Sequence, residues 1–72
     1  MKFYLTLNIP REEIMRYYKE GVQTVHAKTE DGKVIQFPIS VVRSYIKQSG
    51  VQGRFVIECD QQGKLIAFNA DS

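Results

Sequence analysis

The sequence predicts an α+β fold in which a mainly antiparallel, curved five-stranded sheet carries two short helices. At the N-terminus, apolar and polar residues alternate with the period of a strand. An apolar arc with helical spacing follows, and glycine-containing turns separate the later apolar segments. The predicted order is β-α-β-β-α-β-β. A small barrel of the SH3 or Sm type is an alternative arrangement of the same strands.

Length and composition limit the possible functions. The 72 residues are expected to form one domain, residues 1–72. Ten basic and eight acidic residues leave a net charge of +2, which is low for a dedicated nucleic-acid-binding domain. One cysteine, Cys59, cannot form an internal disulfide, and with the one histidine, His26, it is too little for an ordinary zinc site. We therefore expect a fold held by its apolar core, without metal or cofactor.

The N-terminal segment MKFYLTLNIP is not typical of a secretory signal, because its apolar residues alternate with polar ones. No apolar run approaches the roughly 18 residues of a membrane span. Together with a free thiol, these features predict a cytoplasmic protein with no membrane contact.

The first strand is predicted over Phe3–Ile9, where Leu5 and Leu7 share the inner face. Pro10 ends the strand because it has no N–H to donate. A helix over about Arg11–Glu20 follows and should end at a left-handed glycine. Its apolar arc is expected to pack against the sheet; the arc consists of Ile14, Met15, Tyr17 and Tyr18.

A β-hairpin is predicted from about Val22–Thr29 and Lys33–Ile39, around the residues EDG. A two-residue turn would mix polar and apolar side chains on one face, whereas a three-residue loop pairs apolar with apolar. The second register should therefore win, with Gly32 left-handed. Its expected pairs are Ala27 with Ile35 and Val25 with Phe37.

A second helix is predicted from about Val41 to Ser49, with Ser40 as its N-cap and Gly50 as its stop. Arg43 and Lys47 are four residues apart and should point together into solvent.

Two more strands complete the predicted sheet, at about Arg54–Asp60 and Leu65–Asn69. In the first of them the inward residues are expected to be Phe55, Ile57 and Cys59. In the second, four consecutive residues are apolar, and we favour Ile66 and Phe68 as the inward pair.

If both helices cover one face of the sheet, the other face is open. The residues expected there are more apolar than solvent exposure requires; they are Tyr4, Thr6, Thr24, His26, Val34, Gln36, Val56 and Glu58. Either the sheet curls and buries this face, or the face meets a partner.

Four segments together carry a resemblance to a known family. FYLTLNIP, YYKEGVQTV, DGKVIQFPISVVRSYI and SGVQGRFVIECD occur in this order over nearly the whole chain. The chain resembles the bacterial family of short proteins catalogued as domain of unknown function 2835. Pro10 departs from the serine or threonine expected to cap the first helix. The resemblance implies a small bacterial protein and no particular chemistry.

The Gly-x-x-Gly segment Gly50–Gly53 invites a phosphate-loop interpretation. Phosphate loops precede a helix, whose N–H groups attract anions, but this segment follows a predicted helix and would face its carbonyl groups. Its two middle residues are also uncharged. The glycines are therefore interpreted as a helix end at Gly50 and a bend or bulge at Gly53, where the chain enters the next strand.

We expect no enzymatic activity. His26 is predicted on the polar face of a strand without a second histidine, and Cys59 is predicted in the core. The chain is expected to be an interaction module that binds a protein or forms a homodimer through the open sheet face. The alternative is weak nucleic-acid or anion binding through Arg43, Lys47 and Arg54. The candidate interaction surface therefore comprises Arg43, Lys47, Arg54, Tyr4 and His26.

Overall fold

The computed structural model describes residues 1–71. The elements are β1 (Lys2–Ile9), α1 (Arg11–Glu20), β2 (Thr24–Lys28), β3 (Val34–Pro38), a 3-10 helix (Ile39–Tyr45), β4 (Val51–Cys59) and β5 (Leu65–Ala70). The strands form two antiparallel sheets, ordered β1-β4-β5 and β2-β3. The α+β class is confirmed, and two sheets replace the expected single one. Within residues 1–71, no helix is long and apolar enough to cross a membrane.

The core lies between the two sheets. The inward residues of all strands belong to one cluster, and the rings of Phe37 on β3 and Phe68 on β5 are 5.2 Å apart. The helices supply a smaller part of this core than the strands: α1 buries Ile14, and the 3-10 helix buries Ile39 and Val42. One sheet therefore covers the other, which explains why the helices are not needed as the main cover.

The β2–β3 hairpin has the predicted register. Val25 pairs with Phe37 and Ala27 with Ile35. The Thr29 N–H donates to the Lys33 carbonyl at 2.7 Å, and Gly32 has a φ of 90°. The three-residue loop is confirmed, because this register puts the apolar residues of both strands on one face.

The β4–β5 hairpin turns in the same way. The Asp60 N–H donates to the Lys64 carbonyl at 2.9 Å, and the Gly63 N–H donates to the Asp60 carbonyl at 3.0 Å. The Asp60 side chain also accepts hydrogen bonds from the N–H groups of Gln62 and Lys64. Both hairpins therefore use a loop whose third residue is glycine and whose next residue is lysine.

The predicted second α-helix is wrong in type and position. The 3-10 helix starts at Ile39, directly after the extended Pro38, so Ser40 lies inside it and is not its cap. Ile39 and Val42 are buried three residues apart, and Tyr45 packs against the core three residues later. That spacing matches the three residues per turn of a 3-10 helix, which an α-helical reading of the sequence misses.

Gly50 does not end a helix. The chain turns through Gln48 and Ser49, and Lys47 and Gly50 exchange backbone hydrogen bonds of 2.7 and 2.9 Å. Gly50 has a φ of 103°, and a Cβ at this position would lie 2.0 Å from the carbonyl oxygen of Ile9. Glycine is required here because the backbone of the β1–α1 junction passes against it.

β4 begins at Val51, three residues earlier than expected, because it pairs with the whole of β1. The ladder runs without interruption from Ile9 opposite Val51 to Lys2 opposite Glu58. Gly53 is therefore a strand residue, opposite Leu7. Phe55, Ile57 and Cys59 point inward as predicted.

The inward face of β5 was predicted only half correctly. Phe68 packs against the core, whereas Ile66 is 60% exposed. The ladder to β4 shifts register at this point, because Glu58 pairs with Ala67 and Cys59 with Leu65. The extra residue is a β-bulge, which lets Leu65 and Phe68 both face the core although they are three residues apart.

Candidate interaction surfaces

Helix α1 is attached to the body of the protein by one side. Its Ile14 side chain is buried and Tyr17 is half-buried, whereas Met15 is 53% and Tyr18 42% exposed. The expectation that all four face the sheet is therefore wrong. Successive residues of an α-helix are rotated by about 100°, so Met15 cannot follow Ile14 into the core.

Two apolar residues of α1 and one just beyond it are exposed. Met15 and Tyr18 are three residues apart on the helix, and Val22, which follows the left-handed Gly21, is 39% exposed and lines a groove together with Tyr18. We call these three residues the α1 stripe. Charged residues surround it on the same side of the helix: Arg11, Glu12, Arg16 and Lys19. An apolar pair of this spacing is what a helix presents when it docks on another surface.

A shallow groove continues the α1 stripe toward the 3-10 helix. Tyr17, Tyr18 and Val22 form one wall, and Pro38 and Ile39 form the other. Gly21 ends α1 in the left-handed conformation, as predicted, and thereby turns the chain toward this groove.

Arg43 lies at the edge of the same groove. Its guanidinium carbon is 6.0 Å from the centroid of the Tyr18 ring, at the outer limit of a cation–π contact. Arg43 is thus placed beside the apolar residues of α1.

Arg54 occupies the outer face of the three-stranded sheet and is held by two carboxylates. Its Nε and Nη2 atoms donate to the two oxygens of Glu30 at 2.8 and 2.9 Å, and its Nη1 donates to Asp71. The guanidinium also lies 4.5 Å from the centroid of the Tyr4 ring. This geometry is bidentate and stacked, which is the arrangement that arginine favours over lysine.

The ion pairs around Arg54 shift the acidity of both partners. The hydrogen bonds from Arg54 lower the pKa of the Glu30 carboxyl below its ordinary value of 4.5. Glu30, and to a lesser extent Asp71, raise the pKa of Arg54 in turn. The Glu30 N–H also donates to the Tyr4 carbonyl at 2.8 Å. The cluster therefore fastens the β2–β3 loop to β1 and β4 across the gap between the sheets.

The three members of the predicted basic cluster have different surroundings. Arg43 lies beside Tyr18, Lys47 lies in the tight turn before Gly50, and Arg54 contacts two carboxylates. The positive charge of Arg54 is thus compensated by Glu30 and Asp71. A combined site of Arg43, Lys47 and Arg54 stays a prediction.

The predicted open sheet face is divided between the two sheets. Tyr4 lies on the outer side of β1, and exposed His26 lies on the outer side of β2, opposite Gln36. The two sheets turn their inner sides toward one core, so these outer sides point in different directions. Around Tyr4 the face is also less apolar than expected, because the Arg54 side chain covers its ring.

The two residues that the sequence offered as catalytic candidates, Cys59 and His26, have different surroundings. Cys59 is buried in the core, as predicted, and His26 is exposed. Within residues 1–71, no group of three or more histidine, cysteine or acidic side chains is arranged to hold a metal ion.

Sequence reasoning missed two features of these surfaces. The partners of Arg54 come from a loop and from the C-terminal end, and no local pattern links Glu30 or Asp71 to a residue of β4. The α1 stripe left part of a signal, because Met15 and Tyr18 have helical spacing displaced from Ile14 and Tyr17, whereas the position of Val22 depends on the left-handed turn at Gly21.

Comparison with known proteins identifies the family. The family model described as protein of unknown function DUF2835 matches residues 1–70. No curated protein and no solved structure gives a significant match. The match covers almost the entire chain and confirms the resemblance of the four segments quoted above, so the chain belongs to the DUF2835 family.

Proposed function

We propose that this protein is a non-enzymatic interaction module that binds a protein partner through the α1 stripe. One observation carries the proposal: Met15 and Tyr18 of α1 and Val22 just after it are exposed, while Ile14, on another side of the helix, fixes it to the core. Contiguous exposed apolar residues are typical of surfaces that meet another protein.

The attachment of α1 favours binding energetically. A helix of ten residues would be marginal if isolated. Here Ile14 and the left-handed Gly21 hold it in place before any partner arrives. A preformed helix loses little conformational entropy on docking, so more of its contact energy is available as affinity.

The outer face of β1 and β4 supports binding less well. Its aromatic residue, Tyr4, is in contact with Arg54, and Arg54 is itself paired with Glu30 and Asp71. Polar and charged groups that already have partners gain little from a new surface. We therefore place the interaction at the helix rather than at the sheet face first considered.

Nucleic-acid binding is weaker as a second candidate, because Glu30 and Asp71 compensate the charge of Arg54. Arg43 and Lys47 alone would neutralise two phosphates and give weak binding that salt readily abolishes.

The proposal is tested by site-specific photo-crosslinking in the native cell. A photoreactive phenylalanine analogue at position 15 should give a covalent protein adduct, and Tyr18→Lys in the same chain should abolish it. The matched control carries the analogue at Asn69, on the exposed outer side of β5. The proposal would be contradicted if the analogue at position 15 formed no adduct, or if the analogue at position 69 formed the same adduct. If an analogue placed at Thr6 formed an adduct and the analogue at position 15 did not, the interaction would lie on the sheet face instead.

A further inference from the structure

The charges that border the α1 stripe are arranged to fit a second copy of the same helix in the opposite direction. Glu12 precedes Met15 by three residues and Lys19 follows it by four, and all three lie on the outward side of α1. At a rise of 1.5 Å per residue, Glu12 lies about 4.5 Å before Met15 and Lys19 about 6 Å after it.

Two antiparallel copies related by a two-fold axis at Met15 therefore bring opposite charges together. The Glu12 of each copy then meets the Lys19 of the other with an axial offset of about 1.5 Å, and this pair occurs twice. Met15 contacts its own counterpart at the centre. The same alignment places Arg11 opposite Tyr18, whose ring can accept a cation, while Arg16, about 1.5 Å along the helix from the axis, lies near its own counterpart and opposes the association.

The opposite arrangement would be unfavourable. In a parallel pairing, Glu12 would face Glu12 and Lys19 would face Lys19, and like charges at an interface disfavour association. The order of charges along α1 thus selects the antiparallel, isologous contact.

From this complementarity we infer that the partner of the α1 stripe is a second copy of this chain, packed antiparallel through Glu12, Met15 and Lys19. The inference rests on the proposed function and names the occupant of that surface. The contact is small: ten helical residues span about 15 Å, which places the buried area at the low end of specific interfaces. The dimer is accordingly weak and depends on concentration and salt.

Sedimentation velocity over a micromolar to millimolar concentration series tests the inference with charge reversals. The wild type is expected to shift from monomer to dimer. Glu12→Lys and Lys19→Glu should each weaken self-association by about tenfold or more, because each places like charges opposite one another. Lys28→Glu is the matched control: it makes the same charge change on an exposed residue of β2 and should not alter the dimer.

A mixing experiment identifies the geometry. An equimolar mixture of the Glu12→Lys and Lys19→Glu proteins should form a heterodimer as tight as the wild-type dimer, because both contacts between positions 12 and 19 then join opposite charges. The double variant Glu12→Lys with Lys19→Glu should self-associate again. Circular dichroism of each variant checks that α1 is intact.

A strictly monomeric wild type would overturn the inference, as would single variants that dimerise like the wild type or a mixture that fails to recover. If the protein is monomeric but the analogue at position 15 still forms the Tyr18-dependent adduct, the proposed function holds and the partner is a different protein. A monomer without that adduct would remove both.

Discussion

In β1, Leu5, Leu7 and Ile9 are all buried, whereas α1 fully buries only Ile14 of its four large apolar side chains. The strands alternate, so one face enters the core and the other meets solvent. The helix divides its apolar residues between two sides instead. This difference separates the two tasks of a small protein: the strands supply stability, and the helix keeps apolar surface available for contact.

The largest effect is expected in the strand region, at Gly50. A Cβ there would lie 2.0 Å from the Ile9 carbonyl oxygen, and the φ of 103° is also unfavourable for alanine. Gly50→Ala should lower the free energy of unfolding by about 3 kcal/mol or more, measured by urea denaturation.

Gly63→Ala is the control for backbone strain, since Gly63 also has positive φ but no atom lies within 4 Å of an added Cβ. It should cost only about 1 kcal/mol. Equal losses in the two variants would show that the close approach at Gly50 is unimportant.

An effect of similar size tests the core between the sheets. Phe37 is buried and contacts Phe68 across the core, so Phe37→Ala should cost about 3–5 kcal/mol in chemical denaturation. Val34 lies on the same strand but is 70% exposed, and Val34→Ala should change stability by less than about 0.5 kcal/mol. Comparable losses at both positions would contradict the two-sheet core.

Adjacent positions on α1 should respond differently. Ile14→Ala should cost about 2–4 kcal/mol, because its buried side chain leaves a cavity. Met15→Ala should leave the unfolding midpoint almost unchanged and weaken self-association, measured by thermal denaturation and sedimentation. If Met15→Ala destabilised the fold as much as Ile14→Ala, the helix would not have a free side.

The smallest effect is expected at the ion pairs of Arg54. Glu30→Gln should lower the melting temperature slightly at neutral pH. The folded-state pKa of Glu30 is lowered below 4.5, so its contribution is complete above 4.5 and is lost as the pH falls through the lowered value. Melting curves of the wild type and the variant should therefore converge in acid. A difference in melting temperature that persists in acid would show that the effect of the substitution does not come from the Glu30–Arg54 ion pair.

Strands with regular alternation of apolar and polar residues could be predicted from the sequence, whereas irregular elements could not. Val25 and Phe37 could be paired because only one register puts them on one face. In β5 the bulge moves Ile66 outward, and four consecutive apolar residues gave no pattern from which to place it. The 3-10 helix was missed because Ile39 and Val42 were read with an α-helical period.

The candidate surfaces were harder to predict than the strands. The apolar residues of α1 were recognised as an arc, but the sequence does not reveal that a second sheet, rather than the helix, covers the first. Arg54 was identified as the arginine of interest, while its partners Glu30 and Asp71 are brought to it only by the tertiary fold.

The pairing of β1 with β4 also has a kinetic consequence. The two hairpins close loops of three residues, whereas the nearest pair of the β1–β4 ladder joins Ile9 to Val51. Closing that long segment costs about 2 kcal/mol more in chain entropy than closing a short loop. The hairpins should form within microseconds, and the folding barrier should lie at the arrival of β1 on β4. Because the hairpins are already formed at this barrier, substitutions in their loops are expected to slow folding, as are those at ladder positions that pair at the barrier.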